Sequence, residues 1–328
     1  MLDILLWIIL MVGGIILVIF SSKIAVKNSA LLATALGISP LIIGVTLVSI
    51  GTDISEIFNS IVSCARGHGD IDVGDSVGSD LAQLTLIFGL LPIICGAFYI
   101  HRKDIIILGT CEILSLIVIF SVVEKGYISR LDAIFMVGSL GIYIWLIYNS
   151  NKKSIIHRIE LVEIKKPERK KRSYLLFAIV AFMGVTIAAV MIVESVINIS
   201  RLLNVHEYLI SFFILAIGTS LPELAVDINA LRLKQHSIAV GDIVGSCIVD
   251  STLSIGIGQV FFPQTVTATF AVPTVLFTLI ASFIVITTVA IRKKIDKKAG
   301  IFFISIYLTS YILPFLPIYD FLKAINLI

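Results

Sequence analysis

"LAIGTSLPELAVD", residues 215–227, lies inside a long apolar stretch, yet it carries a glycine, a proline and two acids, Glu223 and Asp227, with no lysine or arginine between 202 and 231. Sliding the chain along itself by 167 residues shows that this interruption has a counterpart. "SIGTDISE" (49–56) falls on "AIGTSLPE" (216–223), and "VGDSVGSDLAQLTL" (73–86) falls on "VGDIVGSCIVDSTL" (240–253), with no gap between the two matches. Gly51, Thr52, Glu56, Gly74, Asp75, Gly78 and Ser79 thereby meet Gly218, Thr219, Glu223, Gly241, Asp242, Gly245 and Ser246. Two separated motifs agreeing at one offset mark an internal duplication.

The setting of these motifs is a membrane. Of 328 residues 58% are hydrophobic and only 14% charged, where a soluble domain carries about 25% charged residues; the mean hydropathy is +1.07. A helical span needs roughly 20 apolar residues. Blocks of that kind lie near 3–21, 29–64, 71–99, 104–123, 131–149, 173–195, 205–231, 238–262, 268–291 and 300–320. The runs are continuous rather than alternating, which excludes a β-barrel. The pattern predicts an all-α polytopic membrane protein of about ten transmembrane helices. The first block has no basic n-region and no A-x-A-like cleavage site, so it reads as a span and not a signal peptide. Cys64, Cys95, Cys111 and Cys247 show no paired spacing, hence no disulfide framework and no zinc pattern; they read as small apolar residues in helix packing.

Lysine and arginine set the expected topology. Twenty of them fall in the loops after odd-numbered spans, nine of these between 150 and 172, and five on the other side. Loop 150–172 is therefore expected to be cytoplasmic, and both termini extracytoplasmic. The basic loop could touch anionic headgroups, but its default role is a solvated linker, too short to form a domain. The basic bias belongs to this topology and does not point to nucleic acid.

The two motif copies stand five spans apart, so they cross the membrane in opposite directions. The expected organisation is a first inverted repeat at 1–149, a basic cytoplasmic linker at 150–172 and a second inverted repeat at 173–328. Interrupted helices at matching places of an inverted repeat are the mark of a secondary transporter with its site at the bilayer midplane. Pro222 has no N–H, and its ring clashes with the carbonyl of Gly218, so the helix is expected to break there. Backbone oxygens freed at that depth are tolerated only where they line a cavity or find another partner.

Helical spacing organises the polar residues. Ala216, Thr219, Glu223 and Asp227 share one face, as do Ser49, Thr52, Glu56 and Ser60. Asp75, Ser79 and Gln83 are spaced by four, and so are Asp242, Ser246 and Asp250. Oxygen-rich stripes of this kind suit hard cations such as Ca²⁺ and Na⁺. Each acid at the centre of a span costs about 2.5–3.5 kcal/mol on insertion scales, and segments 28–65, 202–231 and 237–291 offer no lysine or arginine to offset it. Two repeat-matched glutamates beside helix breaks, without a base, read as cation ligands. Glu112 and Glu194 stand alone in their spans and read as protonated, hydrogen-bonded carboxyls. His206 and His236 lie at span ends and read as interfacial.

These motifs resemble the two alpha repeats of the calcium:cation antiporter superfamily, the sodium/calcium exchangers and their relatives. "GTSLPE" at 218–223 and "GDIVGSCIVD" at 241–250 are similar to the second-repeat motif of that family. The resemblance implies two antiparallel five-helix halves with helices broken at the midplane, and spans one and six sliding across the other eight. It implies that Glu56 and Glu223 are the central calcium ligands. Thr52, Thr219 and Ser220, with the carbonyls of Ser49 and Ala216, would share calcium and sodium coordination. Ser79 and Ser246 would offer hydroxyls to sodium, with the acidic Asp250 beside them. The chain departs from the family at Asp53, Ile54 and Ser55, where Ser and then Leu-Pro are usual. It also departs at Asp75 and Asp242, where Asn is usual, at Asp80, where a small or amide residue is common, and at Gln83, where Asn or Asp is.

Several carboxyls in one cavity of low dielectric cannot all be ionised cheaply, so Asp53 or Asp80 is expected to carry a proton in some transport state. The Gly-Asn-x-x-Glu-His motif typical of the proton-coupled branch is absent, which favours sodium. The expected activity is antiport of Ca²⁺, or a related divalent cation, against Na⁺, with a proton-coupled antiporter as the alternative. The expected partners are inorganic cations and the bilayer, with no cofactor and no obligate protein partner. A cation channel is disfavoured because acidic filters are usually rings of identical subunits. An enzyme is disfavoured because no His/Cys ligand set and no nucleophile–base pair lies in the apolar core.

Overall fold

The computed structural model describes residues 2–159, 171–200, 207–312, 316, 318, 322 and 323. The first half holds α1 (Leu2–Leu36), α2 (Pro40–Thr52), α3 (Ile54–Ala65), α4 (Gly69–Ile94), α5 (Arg102–Val123) and α6 (Arg130–Ile159). The second half holds α7 (Lys171–Ser200), α8 (Ser211–Thr219), α9 (Leu221–Arg232), α10 (His236–Phe261), α11 (Ala268–Arg292) and α12 (Lys297–Ser310). The described residues also hold four two-residue strands: β1 (Phe98–Tyr99), β2 (Tyr127–Ile128), β3 (Gln264–Thr265) and β4 (Lys294–Ile295).

Among the described residues seven helices are long and apolar enough to cross a membrane, and the bent pairs α2–α3 and α8–α9 raise the count to nine. The tenth expected span is helical over α12 and extends partly outside the described residues. Residues 160–170 of the basic linker and His206 also lie outside them.

The 167-residue offset read from the motifs runs through the whole architecture. Shifted by it, α3 falls on α9 end to end, and the π-helical turn Gly44–Val48 falls on Ser211–Leu215. β1 pairs antiparallel with β4, and β2 with β3, so each small ladder joins one half to the other. Polarity is inside out, as a bilayer requires. Asp53, Glu56, Asp75, Asp80, Glu112, Glu223, Asp227, Asp242 and Asp250 are all at most 1% exposed, while Phe20, Leu131 and Ile291 are 67%, 79% and 70% exposed.

Two expectations change. The boundary between the first two spans lies at Gly37, in the left-handed region at φ +67°, and not near residue 25. α1 runs unbroken for 35 residues. At 1.5 Å per residue that is about 52 Å, longer than a hydrocarbon core of about 30 Å. Lys23 and Lys27 therefore sit on the helix itself, with exposed side chains. The second change concerns the breaks. Pro222 occupies the first turn of α9, where a missing N–H costs nothing. The equivalent break at Asp53 has no proline, yet the bends are 44° at α2–α3 and 41° at α8–α9. The hinge residues match as well: Asp53 at φ −77°, ψ 8° and Ser220 at φ −83°, ψ 0°. A π-helical turn lies just upstream of each hinge, as one also does inside the unbent α4 and α10, so the bend belongs to the matched hinge residues themselves.

Glycines fix how closely the broken helices approach α4 and α10. A Cβ on Gly241 would stand 2.6 Å from the Leu41 carbonyl oxygen, and one on Gly245 would stand 2.7 Å from Val45 Cα. Their repeat mates do the same across the molecule: a Cβ on Gly74 would lie 2.8 Å from the Tyr208 carbonyl oxygen, and one on Gly78 would lie 2.7 Å from Ala216 Cβ. So α4 of the first half packs on α8 of the second, and α10 packs on α2. The most extensive helix pair is α1 with α7, which also touches the broken helices.

Candidate cation site

The two hinges bring their acids together. One oxygen from each of Asp53, Glu56 and Glu223 lies within 4.8 Å of the others, in the buried interior. Both oxygens of Glu223, and Oδ2 of Asp53, have no hydrogen-bond partner. Glu56 and Glu223 stand at equivalent places in the first turns of α3 and α9. Negative charge there meets the positive ends of both helix dipoles. Two ion pairs, Lys125–Asp132 and Arg292–Asp296, lie at the periphery.

Neutral oxygens surround this triad in the crossed arrangement that the glycines impose. Ser79 Oγ on α4 is 3.2 Å from Thr219 Oγ1 on α8, and Thr219 Oγ1 is 3.2 Å from Asp75 Oδ1. On the equivalent side Ser246 faces Asp53, and a Cβ on Gly245 would lie 2.9 Å from Ser49 Oγ. Ser220 Oγ is buried without a partner, and Ser246 is fully buried. The Ser49 carbonyl accepts from Asp53 N–H at 2.9 Å and from Thr52 Oγ1 at 3.0 Å; the Ala216 carbonyl accepts from Ser220 N–H and Thr219 Oγ1, both at 3.1 Å. Both carbonyls are thus committed to the hinge turns that carry the acids. Ser49 Oγ itself donates to the Val45 carbonyl at 2.6 Å.

Gln83 and Asp250, repeat mates 167 residues apart, touch each other: Gln83 Nε2 donates to Asp250 Oδ2 at 3.3 Å. Ser254 Oγ donates to Asp250 Oδ1 at 3.1 Å. Two equivalent residues meet only near the axis that relates the halves, so this contact marks the axis.

Asp80 stands apart from the other candidates. It accepts a hydrogen bond from Ser251 and groups with Glu112 and Cys247, not with the central glutamates. Glu112 is therefore not alone, as its span suggested; α5 turns it towards an acid of α4. Its repeat mate is Leu279, so no repeat comparison could have flagged it. Asp227 and Asp242 extend the polar interior from Glu223 along α9 and α10, buried and facing each other. Asn59, which donates to Asp75 at 2.6 Å, was not legible in advance because the mate of Asn59 is Val226. Glu194 is exposed on α7, and His236 is half-buried against the Phe98 ring.

Inverted halves, paired helix breaks and a buried oxygen cluster rich in acids define a cation antiporter of the multi-pass membrane class. The sequence profile of the sodium/calcium exchanger protein family matches residues 6–149 and 173–316. The chain belongs to that family. It is 29% identical to the inner membrane protein YrbG of Escherichia coli over 264 residues, covering 77% of this chain and 79% of the relative. It is 24% identical to the sodium/calcium exchanger MaX1 of Methanosarcina acetivorans, covering 92% of this chain and 96% of that one. The fold matches the sodium-calcium exchanger NCX_Mj, soaked with Na⁺ and Sr²⁺, at a TM-score of 0.75 and 23% identity, over 94% of this chain and 98% of that chain.

Proposed function

We propose that this protein exchanges Ca²⁺, or a related divalent cation, for Na⁺ by alternating access. Glu56 and Glu223 are the central divalent ligands and Asp53 is a third carboxylate of the same cluster. The observation that carries this reading is the convergence of these acids from two symmetry-related hinges, within 4.8 Å of one another. A divalent ion, or several Na⁺, supplies the charge that the segments around them lack. Ser79 with Thr219, Ser220 and Ser246 offer neutral oxygens suited to Na⁺, and Gln83 with Asp250 sits between the halves as a further ligand pair. The match to exchangers of this family supports the choice of cargo. Loop 150–172 is assigned to the cytoplasm and both termini to the outside, with 1–149 and 173–328 as the inverted repeats, from the distribution of Lys and Arg.

Proton coupling is the second reading. It is favoured by Asp53, a carboxyl inside the triad where the family usually has a hydroxyl. Uptake of radiolabelled calcium into proteoliposomes, with a sodium gradient or a proton gradient imposed alone, separates the two. Uptake driven by sodium alone supports Na⁺ exchange. Uptake driven only by the proton gradient assigns the proton, and uptake driven by neither overturns the antiport reading.

A further inference from the structure

Away from the central triad, the interior holds a second group of ligand atoms, to which the proposed function assigns no role. One carboxylate oxygen each from Asp80 and Glu112 lies with Cys247 Sγ inside a mutual distance of 4.8 Å, all three residues buried. Three atoms at that limit surround a point about 2.8 Å from each, so side-chain shifts of a few tenths of an ångström would bring all three to the roughly 2.3–2.6 Å of a metal–ligand bond. Glu112 is 0% exposed, and neither of its oxygens has a hydrogen-bond partner; Asp80 Oδ1 has none either. Ser282 on α11 turns its hydroxyl towards Glu112. Two carboxyls, a thiol and a hydroxyl thus converge from α4, α5, α10 and α11 with no base among them.

The group is not a copy of the transport site. Under the 167-residue offset Asp80 falls on Cys247 and Glu112 falls on Leu279, so the repeat does not regenerate it. Two of its members are already held in place. Ser251 donates to Asp80, and Cys247 Sγ donates to Gln83 Oε1 at 3.2 Å. Gln83 in turn reaches Asp250, which ties the group mechanically to the axis of the halves.

We propose that Asp80, Glu112 and Cys247 form a second cation site, distinct from the transported-ion cluster. The site takes a thiophilic divalent ion, of the Zn²⁺ and Cd²⁺ class. Two carboxylates match the ion's double charge, and carboxylate oxygen alone would favour Ca²⁺ or Mg²⁺. The sulfur shifts the preference to metals that accept mixed oxygen and sulfur donors. A bound ion would pin α4 and α5 to α10, the helices against which the hinges pack, and so would act on exchange from beside the transport site.

The test uses the full chain, purified in detergent, with Cd²⁺ alone as probe. The transport cluster is disabled by Glu56→Gln with Glu223→Gln, so that binding at the two places is read separately and a failure here leaves the transport reading untouched. The expected result is about one Cd²⁺ bound per chain by calorimetry, tighter than Ca²⁺, with an ultraviolet sulfur-to-cadmium absorption band. Adding Glu112→Gln should weaken binding at least about tenfold, the loss that removing even a hydrogen-bonding partner of a ligand produces. Cys247→Ser should abolish the band and narrow the preference over Ca²⁺. Asp80→Asn gives the same reading as Glu112→Gln should that variant lose its monodisperse elution. Absence of stoichiometric Cd²⁺, indifference to both carboxylate variants, or a band that survives Cys247→Ser would overturn the site. Equal affinity for Ca²⁺ and Cd²⁺ would overturn the assigned class of ion.

Discussion

Glu223→Gln is the most direct test of the central cluster. The amide preserves the shape and one oxygen of the side chain but removes one of three carboxylates that lie within 4.8 Å of one another. Both Glu223 oxygens lack a hydrogen-bond partner and the residue is 1% exposed, so neither protein nor bulk water compensates the lost attraction for a divalent ion. Removing one partner of a buried ion pair costs about 3–5 kcal/mol, which is about two to four decades in affinity. The substitution creates no buried charge, so folding should be kept. The assay is calcium-for-calcium counterflow in proteoliposomes, which needs no choice of coupling ion, paired with thermal unfolding in detergent. Wild-type protein at a calcium concentration of 100 times Kd should gain about 2.7 kcal/mol of stability, and the variant at the same concentration should gain almost none. Counterflow within threefold of wild type, or an undiminished thermal shift by calcium, would refute the assignment of Glu223 as a central ligand. Glu56→Gln should behave alike, because the two acids occupy equivalent hinge positions.

Asp53→Asn leaves both glutamates in place, so calcium exchange should persist within about tenfold. The wild-type rate should fall as pH drops, because protons compete for carboxylates that must be charged to hold the cation; a flat rate from pH 6 to 8.5 would place Asp53 outside the site. With both glutamates charged, return of the ion-free carrier costs roughly 5–7 kcal/mol at the per-acid figure, or about four to five decades in rate. Calcium-loaded vesicles diluted into a large impermeant cation at clamped potential should therefore retain their calcium, and fast release would favour a channel. A cysteine introduced at position 170 should react with an impermeant thiol reagent only from the cytoplasmic side; labelling from outside would reverse the topology. Gly245→Ala puts a Cβ 2.7 Å from Val45 Cα and should destabilise by about 1–3 kcal/mol. Gly138→Ala, with nothing within 4 Å of the new Cβ, should not lower the unfolding midpoint.

What the sequence alone determined is whatever can be read along one helix or from one copy to the next. Hydropathy gave the spans, because a bilayer tests each segment by its own length and polarity. The 167-residue repeat gave the inversion, the two hinges and the pairing of Glu56 with Glu223, because equivalent residues in equivalent helices reach equivalent depths. The tertiary structure decided what meets across helices. It showed the hinge at Asp53 bending like the one at Ser220 without a proline, so the ring is not what the two hinges share. It crossed the halves, setting Ser79 against Thr219, because glycines at 74 and 78 let α4 approach the other repeat's broken helix. It also drew Asp80 to Glu112 and Cys247, away from the triad that Asp53 joined. Both aspartates stand one residue after a candidate ligand in the same repeat, and successive residues on a helix point about 100° apart. Which neighbour each one faces is fixed by the rotation of the packed helices, and that rotation is a property of the contacts on all sides of a helix, which no single segment encodes.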